Sequence, residues 1–410
     1  MRRIISTALI GALVLAACGG GSNIAPAPPT PTGDNVQPVT VDTGPVDLTN
    51  ADVNTLFTSV TVCAPGSTTN CQTIDHVQVD TGSSGLRILA SVLSVTLPQQ
   101  VDNRGNAVLE CTQFVDGYSW GSIRKADIQI AGESASGAAI QVIGDPAFPT
   151  VPSDCSSVGS AENTVQTFGA NGILGVGPFI SDCGSGCSTV PNPIYYTCLL
   201  SGTCSNAAMA IEQQVSNPVA FFATDNNGVI VQLPAVGESG AASVSGSLIF
   251  GIGTQGNNGL GSATVVTVSS ADGSLTTQYK GSALTESFID SGSNAYYFPD
   301  ASLHVCPQQT IAPGFFCPGA TVSLSATIQG ANGASVPVSF DIADANTLFG
   351  TNAIIAAASN LGSPSVSDAA NAFDGTDSFD WGLPFYFGRT VFTAIETRNT
   401  AGGEGPYFAF

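Results

Sequence analysis

Basic residues are scarce in this chain. Nine Lys and Arg stand against 30 Asp and Glu, giving a formal net charge of −21 over 410 residues. So acidic a surface repels phosphate backbones and anionic headgroups, which sets aside nucleic acid and acidic lipid as partners. Histidine is scarcer still, with only His76 and His304, far apart. Zinc sites want closely spaced Cys pairs with His, so no metal is expected. A Ser–His–acid triad is equally short of a base. No phosphate-binding Walker loop occurs, Gly251-Ile252-Gly253 is a lone turn, and no cofactor is expected. Helical periodicity is rare too, and residues 207–214 and 352–360 are the best short helix candidates. Past the N-terminus, no apolar stretch is long enough for a transmembrane helix.

The first residues read as a targeting signal. Arg2 and Arg3 precede an apolar stretch, Ile4 to Ala17, that is too short to span a bilayer comfortably. It ends in Leu15-Ala16-Ala17-Cys18, which resembles the bacterial lipobox. That resemblance implies cleavage before Cys18, its lipidation, and a lipid-anchored protein of the bacterial cell envelope. Gly19 carries no acidic inner-membrane retention signal, so the outer membrane is the expected site. Residues 19–45 are Gly, Pro, Thr and Ala with few aromatics, the composition of a flexible tether.

Export changes how the other cysteines read. Setting Cys18 aside leaves ten of the eleven, an even number, in an oxidising compartment. Their spacing suggests local loops: Cys63 with Cys71, Cys183 with Cys187, Cys198 with Cys204, and Cys306 with Cys317. Cys111 and Cys155 would remain to pair with each other. Spacing alone does not prove that connectivity.

The chain is too long for one compact core and suits two lobes, here 46–235 and 236–410. Short runs rich in Val, Ile, Thr and Phe alternate with Gly, Asn, Asp and Ser clusters, so the expected class is all-β. Examples are His76–Val79, Ala126–Ile130, Ser247–Phe250 and Ala320–Leu324. The halves share a weak repeat. One apolar strand runs into Asp80-Thr81-Gly82-Ser83, and another into Asp290-Ser291-Gly292-Ser293. A third triplet, Asp42-Thr43-Gly44, has no strong apolar strand before it and reads as linker.

Two such carboxyls can hydrolyse a peptide without metal, Ser or Cys. One activates water as base while the other polarises the carbonyl as acid, provided the pair shares one proton. Held about 3 Å apart, they cannot easily both ionise. The Gly in each triplet permits a sharp turn and close approach. The Thr81 and Ser291 hydroxyls could bond across the interface, and those of Ser83 and Ser293 could orient the carboxylates.

On these residues the chain resembles the pepsin-like aspartic peptidases, in a branch of bacterial lipoproteins. Asp80–Leu86 is similar to that family's first catalytic loop and Phe288–Ser293 to its second. Asn171–Gly177 resembles the segment that threads behind the first loop. Ser247–Gly251 resembles the strand before the second lobe. Asp380–Ala394 stands where the second threading segment belongs. The resemblance implies a bilobal all-β fold with a central cleft and an endopeptidase with Asp80 and Asp290 as its catalytic pair. It implies an extended peptide or protein as substrate, and a monomer. The alternatives are a catalytically silent binding or inhibitor protein on the same scaffold, or a structural envelope lipoprotein.

The chain also departs from that family. Arg87 stands where a Trp is usual. Phe114 stands where the flap Tyr is usual, with Gly117 near the hairpin tip and Tyr118 and Trp120 as further candidates to cover the site. The second threading segment lacks two aliphatic residues before its Gly. The tether is too short and too poor in basic residues for an inhibitory pro-segment. The remaining motifs read as structural. Gly117-Tyr118-Ser119-Trp120-Gly121 matches a hydrolase elbow, but no helical pattern follows it. His76 could face Asp80 along the strand. Phe410 reads as the end of a last lobe strand rather than of a barrel. Glu110 has no evident partner.

Overall fold

A computed structural model of the chain describes residues 31–46, 48–49, 52–115, 117–199, 202–351, 354–365 and 377–410. Cys18 and the stretch expected to be a targeting signal lie outside them. Among the described residues, one 16-stranded sheet and one 7-stranded sheet make up most of the structure, with a 2-stranded ribbon beside them. The fold is all-β and bilobal.

The lobe architecture follows from which strands are apolar. Leu56–Cys63 and Cys71–Asp80 form a hairpin whose apolar residues, among them Val60, Val62, Val77 and Val79, are fully buried. Cys71–Asp80 then runs parallel to Gly172–Val176, pairing Asp80 with Gly175. Ser84–Leu89 returns antiparallel on the other side of Gly172–Val176. The loop from Asp80 to Ser83 is thus clamped by a buried strand threaded behind it. That strand must lie very close. A Cβ on Gly175 would stand 2.7 Å from Ser83 and Ser84 backbone, so only glycine fits.

The second lobe repeats the device. Ser282–Ile289 pairs in parallel with Asp380–Trp381, and Tyr296–Tyr297 closes on Asp380–Trp381 from the far side. A Cβ on Gly382 would stand 2.2 Å from the Ala295 carbonyl. Aromatic rings replace the aliphatic pair here. Phe379 stacks on Phe298 at 4.8 Å and on Trp381 at 4.1 Å, while Trp381 donates Nε1–H to Thr277 at 3.0 Å.

Part of the expected tether is structural. Val36–Val41 forms a strand between Val244–Phe250 and Leu56–Cys63. It buries Val39 and Val41 and joins the lobes through the shared sheet. Gly and Pro on both sides disguise its alternation. Asn54 adds a second tie. Buried with φ +59°, it donates Nδ2–H to the Asn294 and Ala358 carbonyls and accepts from Ala358 N at 2.7 Å. Neither helix candidate forms as expected. Within 207–214 only Ile211–Gln213 winds, as a 3-10 turn; of 352–360, residues 352–353 lie outside the described residues and 354–360 are not helical, while an α-helix occupies Ala345–Thr351.

All five disulfides are present: Cys63–Cys71, Cys111–Cys155, Cys183–Cys187, Cys198–Cys204 and Cys306–Cys317. Four close short loops, and Cys111–Cys155, 44 residues apart, ties the Ala107–Gln113 strand of the next hairpin to the segment beyond it.

Candidate active site

Asp80 ends the first buried strand and Asp290 follows the second. The two loops meet so closely that each glycine lies on the opposite carboxyl. A Cβ on Gly82 would stand 2.7 Å from Asp290 Cγ, and one on Gly292 2.6 Å from Asp80 Oδ1. The two carboxyls therefore face each other closely, and Asp80 is among the groups that raise Asp290, which favours one proton held by the pair.

Each carboxyl is held the same way. Gly82 N–H donates to Asp80 Oδ1 and Gly292 N–H to Asp290 Oδ1, both at 2.7 Å. Ser83 donates to Asp80 Oδ2, and Ser293 to Asp290 Oδ2 at 3.0 Å. Beneath them the loops interlock. Ser291 N–H donates to Thr81 Oγ1 at 3.0 Å, Thr81 N–H donates to Ser291 Oγ at 3.1 Å, and Ser291 donates to the Val79 carbonyl at 2.8 Å. Tyr386 shares a further bond with Thr81 Oγ1 at 2.7 Å. Burial, then Asp80 and Asp380, push the Asp290 carboxyl well above the usual range, against the Gly292 N–H that lowers it. The pair can therefore carry one proton above the pH at which an isolated carboxyl loses it.

The flap candidates separate. Phe114 stays at the hairpin turn, half-buried, its ring edge-on to Phe168 at 5.9 Å. Gly117 lies against the segment beyond it, where a Cβ would stand 2.4 Å from the Ser160 carbonyl. Tyr118 and Trp120 turn into a core with Cys111, Cys155 and Tyr196. Trp120 packs edge-on to Tyr196 and bonds the Phe148 carbonyl. Both were candidates for covering the site, and their burial in that core corrects this. Ser119 is fully buried, donates to the Glu162 carbonyl and continues a strand, so it is no nucleophile. His76 lies between Asp42 and Asp75, at 3.5 and 3.2 Å, edge-on to Phe57. Asp42 takes the Gly44 N–H in a local turn and has no facing copy.

Arg87 is buried beneath the hairpin. It donates to Glu110 at 2.7 Å, Asp182 at 3.1 Å, Thr112 at 2.8 Å and the Ser84 carbonyl at 2.8 Å. Tyr195 donates to Asp182 in turn. Burial and then Glu110 push Asp182 well above the usual carboxyl range. The partner of Glu110, unseen in the sequence, is this arginine. A single Arg inside the apolar strand Ser84–Leu89 was the available signal, since a buried cation requires an acid.

A family described as a protein of unknown function, DUF3443, matches residues 31–410. The chain belongs to the DUF3443 family. No curated protein matches it. Among solved structures, the aspartic proteinase from Irpex lacteus superposes on this DUF3443 member with a TM-score of 0.50 at 16% identity. The match covers 91% of this chain and 96% of that one, and at that identity the likeness carries the fold.

Proposed function

We propose that the chain is an aspartic endopeptidase that hydrolyses extended polypeptides by a water activated between Asp80 and Asp290. The observation that carries this reading is the pair of matching loops, each with its glycine pressed on the other's carboxyl. One carboxylate takes a proton from water while the protonated partner donates to the scissile carbonyl oxygen. As the tetrahedral adduct collapses, the carboxyl that took the water's proton gives it to the leaving nitrogen and the other takes a proton from a hydroxyl of the adduct, so the pair ends with one proton as it began. The Gly82 and Gly292 N–H groups and the Ser83 and Ser293 hydroxyls hold the outer geometry fixed. An extended peptide under the Ala107–Ile130 hairpin would present its carbonyl to the pair. The same reading has the chain acting as a lipid-anchored monomer through Cys18 in the cell envelope.

The test is cleavage of a denatured-protein peptide pool by the purified chain across acid to neutral pH, with D80N and D290N beside it. Cleavage by the wild type and its loss in both variants is the expected result. A folded wild type that cleaves nothing at any pH would overturn it and favour the binding-protein alternative.

A further inference from the structure

Tyr296 is only 2% exposed, yet its hydroxyl makes no hydrogen bond among the described residues. Phe340, Phe379 and Trp381 pack around its ring, at 5.1, 6.4 and 5.9 Å. The side chain lines a cavity of about 200 Å³ in the second lobe, and neither Asp80 nor Asp290 borders that cavity. A buried phenol without a partner is costly unless something enters to bond it.

The cavity holds charges of both signs. Arg389 lines it, giving one Nη1–H to the Phe385 carbonyl at 2.6 Å and lying 4.6 Å over the Phe385 ring. Its guanidinium is thus oriented with its other N–H groups unspent. Arg87, Arg124 and Lys280 all pair with acids, whereas Arg389 forms no ion pair among the described residues. Asp341 and Glu238 line the same cavity, Asp341 half-buried and Glu238 exposed. Burial raises the Tyr296 phenol, Arg389 lowers it and Asp341 raises it, so both charges act on that hydroxyl. Asn360 gives Nδ2–H to the Glu238 carbonyl at 2.9 Å, and its Oδ1 is left without a partner. Val236, Pro384 and Phe387 supply apolar wall.

We propose that this cavity is a binding site for a free apolar α-amino acid, its carboxylate on Arg389 and Tyr296 and its ammonium towards Asp341 and Glu238. A simple anion would meet the two acids and a simple cation the arginine, so a ligand carrying both charges suits the lining. The volume is below the ~300–1,000 Å³ of drug-sized sites, which fits a molecule of one residue. The apolar wall takes the side chain. The site lies apart from the carboxyl pair and stands whether or not the chain is a peptidase.

The test is calorimetric titration of the purified chain with L-leucine, L-valine and L-phenylalanine. Isocaproate, which is leucine without its ammonium, and isoamylamine, which is leucine without its carboxylate, are titrated beside them. At least one amino acid is expected to bind, and for leucine both truncated analogues should bind about tenfold or more weaker, the scale of one charge-assisted bond. R389M and Y296F should each weaken the amino acid about tenfold. Y296F should keep wild-type thermal stability, because its hydroxyl bonds nothing in the empty protein. D341N should weaken leucine and narrow its advantage over isocaproate. D290N should bind as the wild type does, which separates this cavity from the carboxyl pair. The proposal is overturned if none of the three amino acids binds at millimolar concentration, or if either analogue matches leucine. It is equally overturned if R389M and Y296F leave the affinity unchanged, or if D290N abolishes binding.

Discussion

Thr81 and Ser291 exchange backbone and hydroxyl groups across the two lobes: each N–H donates to the other's side-chain oxygen, at 3.1 and 3.0 Å. Both residues are almost fully buried, so either substitution to Ala strands an N–H away from water. Ser291→Ala should cost about 1–3 kcal/mol of stability. Ser291→Thr, which keeps the hydroxyl, should cost less than Ala. Urea unfolding gives the stability change. A fall in kcat larger than in 1/KM would show that the grip sets the distance between the carboxyls rather than substrate affinity.

The two glycines set that distance from the other side. Gly82→Ala and Gly292→Ala place a methyl within 2.7 and 2.6 Å of the opposite carboxyl, so the carboxyls must separate. Neither glycine has positive φ, so backbone strain is not the cause. Each variant should fold yet lose kcat by about a hundredfold, the scale of a 1 Å misplacement. Near wild-type turnover in either would mean that the loops can part without consequence.

Much of this was legible because its causes are local. An apolar strand running into Asp–Thr/Ser–Gly–Ser needs only neighbouring residues to be recognised. The all-β class followed from alternation, as in Cys71–Asp80. What stayed hidden depends on distant partners. Val36–Val41 is a strand because Val244–Phe250 lies beside it, more than 200 residues on. Its Pro38 and its Gly- and Pro-rich flanks read as tether. Trp120 looked like a flap aromatic because its hairpin was visible and the Cys155–Tyr196 core behind it was not. Asp380 was visible only as a misfit in an apolar motif.

Stability should fall as pH rises from mildly acid to neutral. Burial, then neighbouring acids, raise Asp290 and Asp182, and burial raises Asp380. A raised carboxyl binds more protons folded than unfolded. Its contribution is complete below the unfolded value and is lost as pH climbs through the folded one. Each such group adds a slope of about 1.4 kcal/mol per pH unit within that window. Asp300 runs the other way. Burial raises it, but hydrogen bonds from Lys280, Ser302 and Tyr279 outweigh that and hold it at about 2, so its contribution fades only in stronger acid. Thermal unfolding should therefore peak in mild acid. Asp182→Asn should flatten the descent towards neutrality, and an unchanged slope would remove Asp182 as a source.

Arg87 supplies the sharpest stability prediction. Its guanidinium is the cation for Glu110 and Asp182, with side-chain exposures of 2%, 1% and 8%. Arg87→Met keeps much of the volume and leaves both acids without a counter-charge. The expected cost is about 3–5 kcal/mol, the range for breaking a buried pair from one side. The deficit should shrink in acid, where Asp182 takes a proton. Arg87→Lys should recover little, because one ammonium cannot reach Thr112, the Ser84 carbonyl and both acids from a single fork. Thr112 and Glu110 belong to the Ala107–Gln113 strand of the hairpin proposed to cover the site, and Ser84 to the strand that leaves the first loop. Losing the arginine therefore loosens the hairpin relative to Asp80. In the surviving folded fraction KM should rise more than kcat falls, the mark of a substrate cover that closes less often. Equal stability of Arg87→Met and wild type at neutral pH would mean that the acids hold a shared proton in place of the cation.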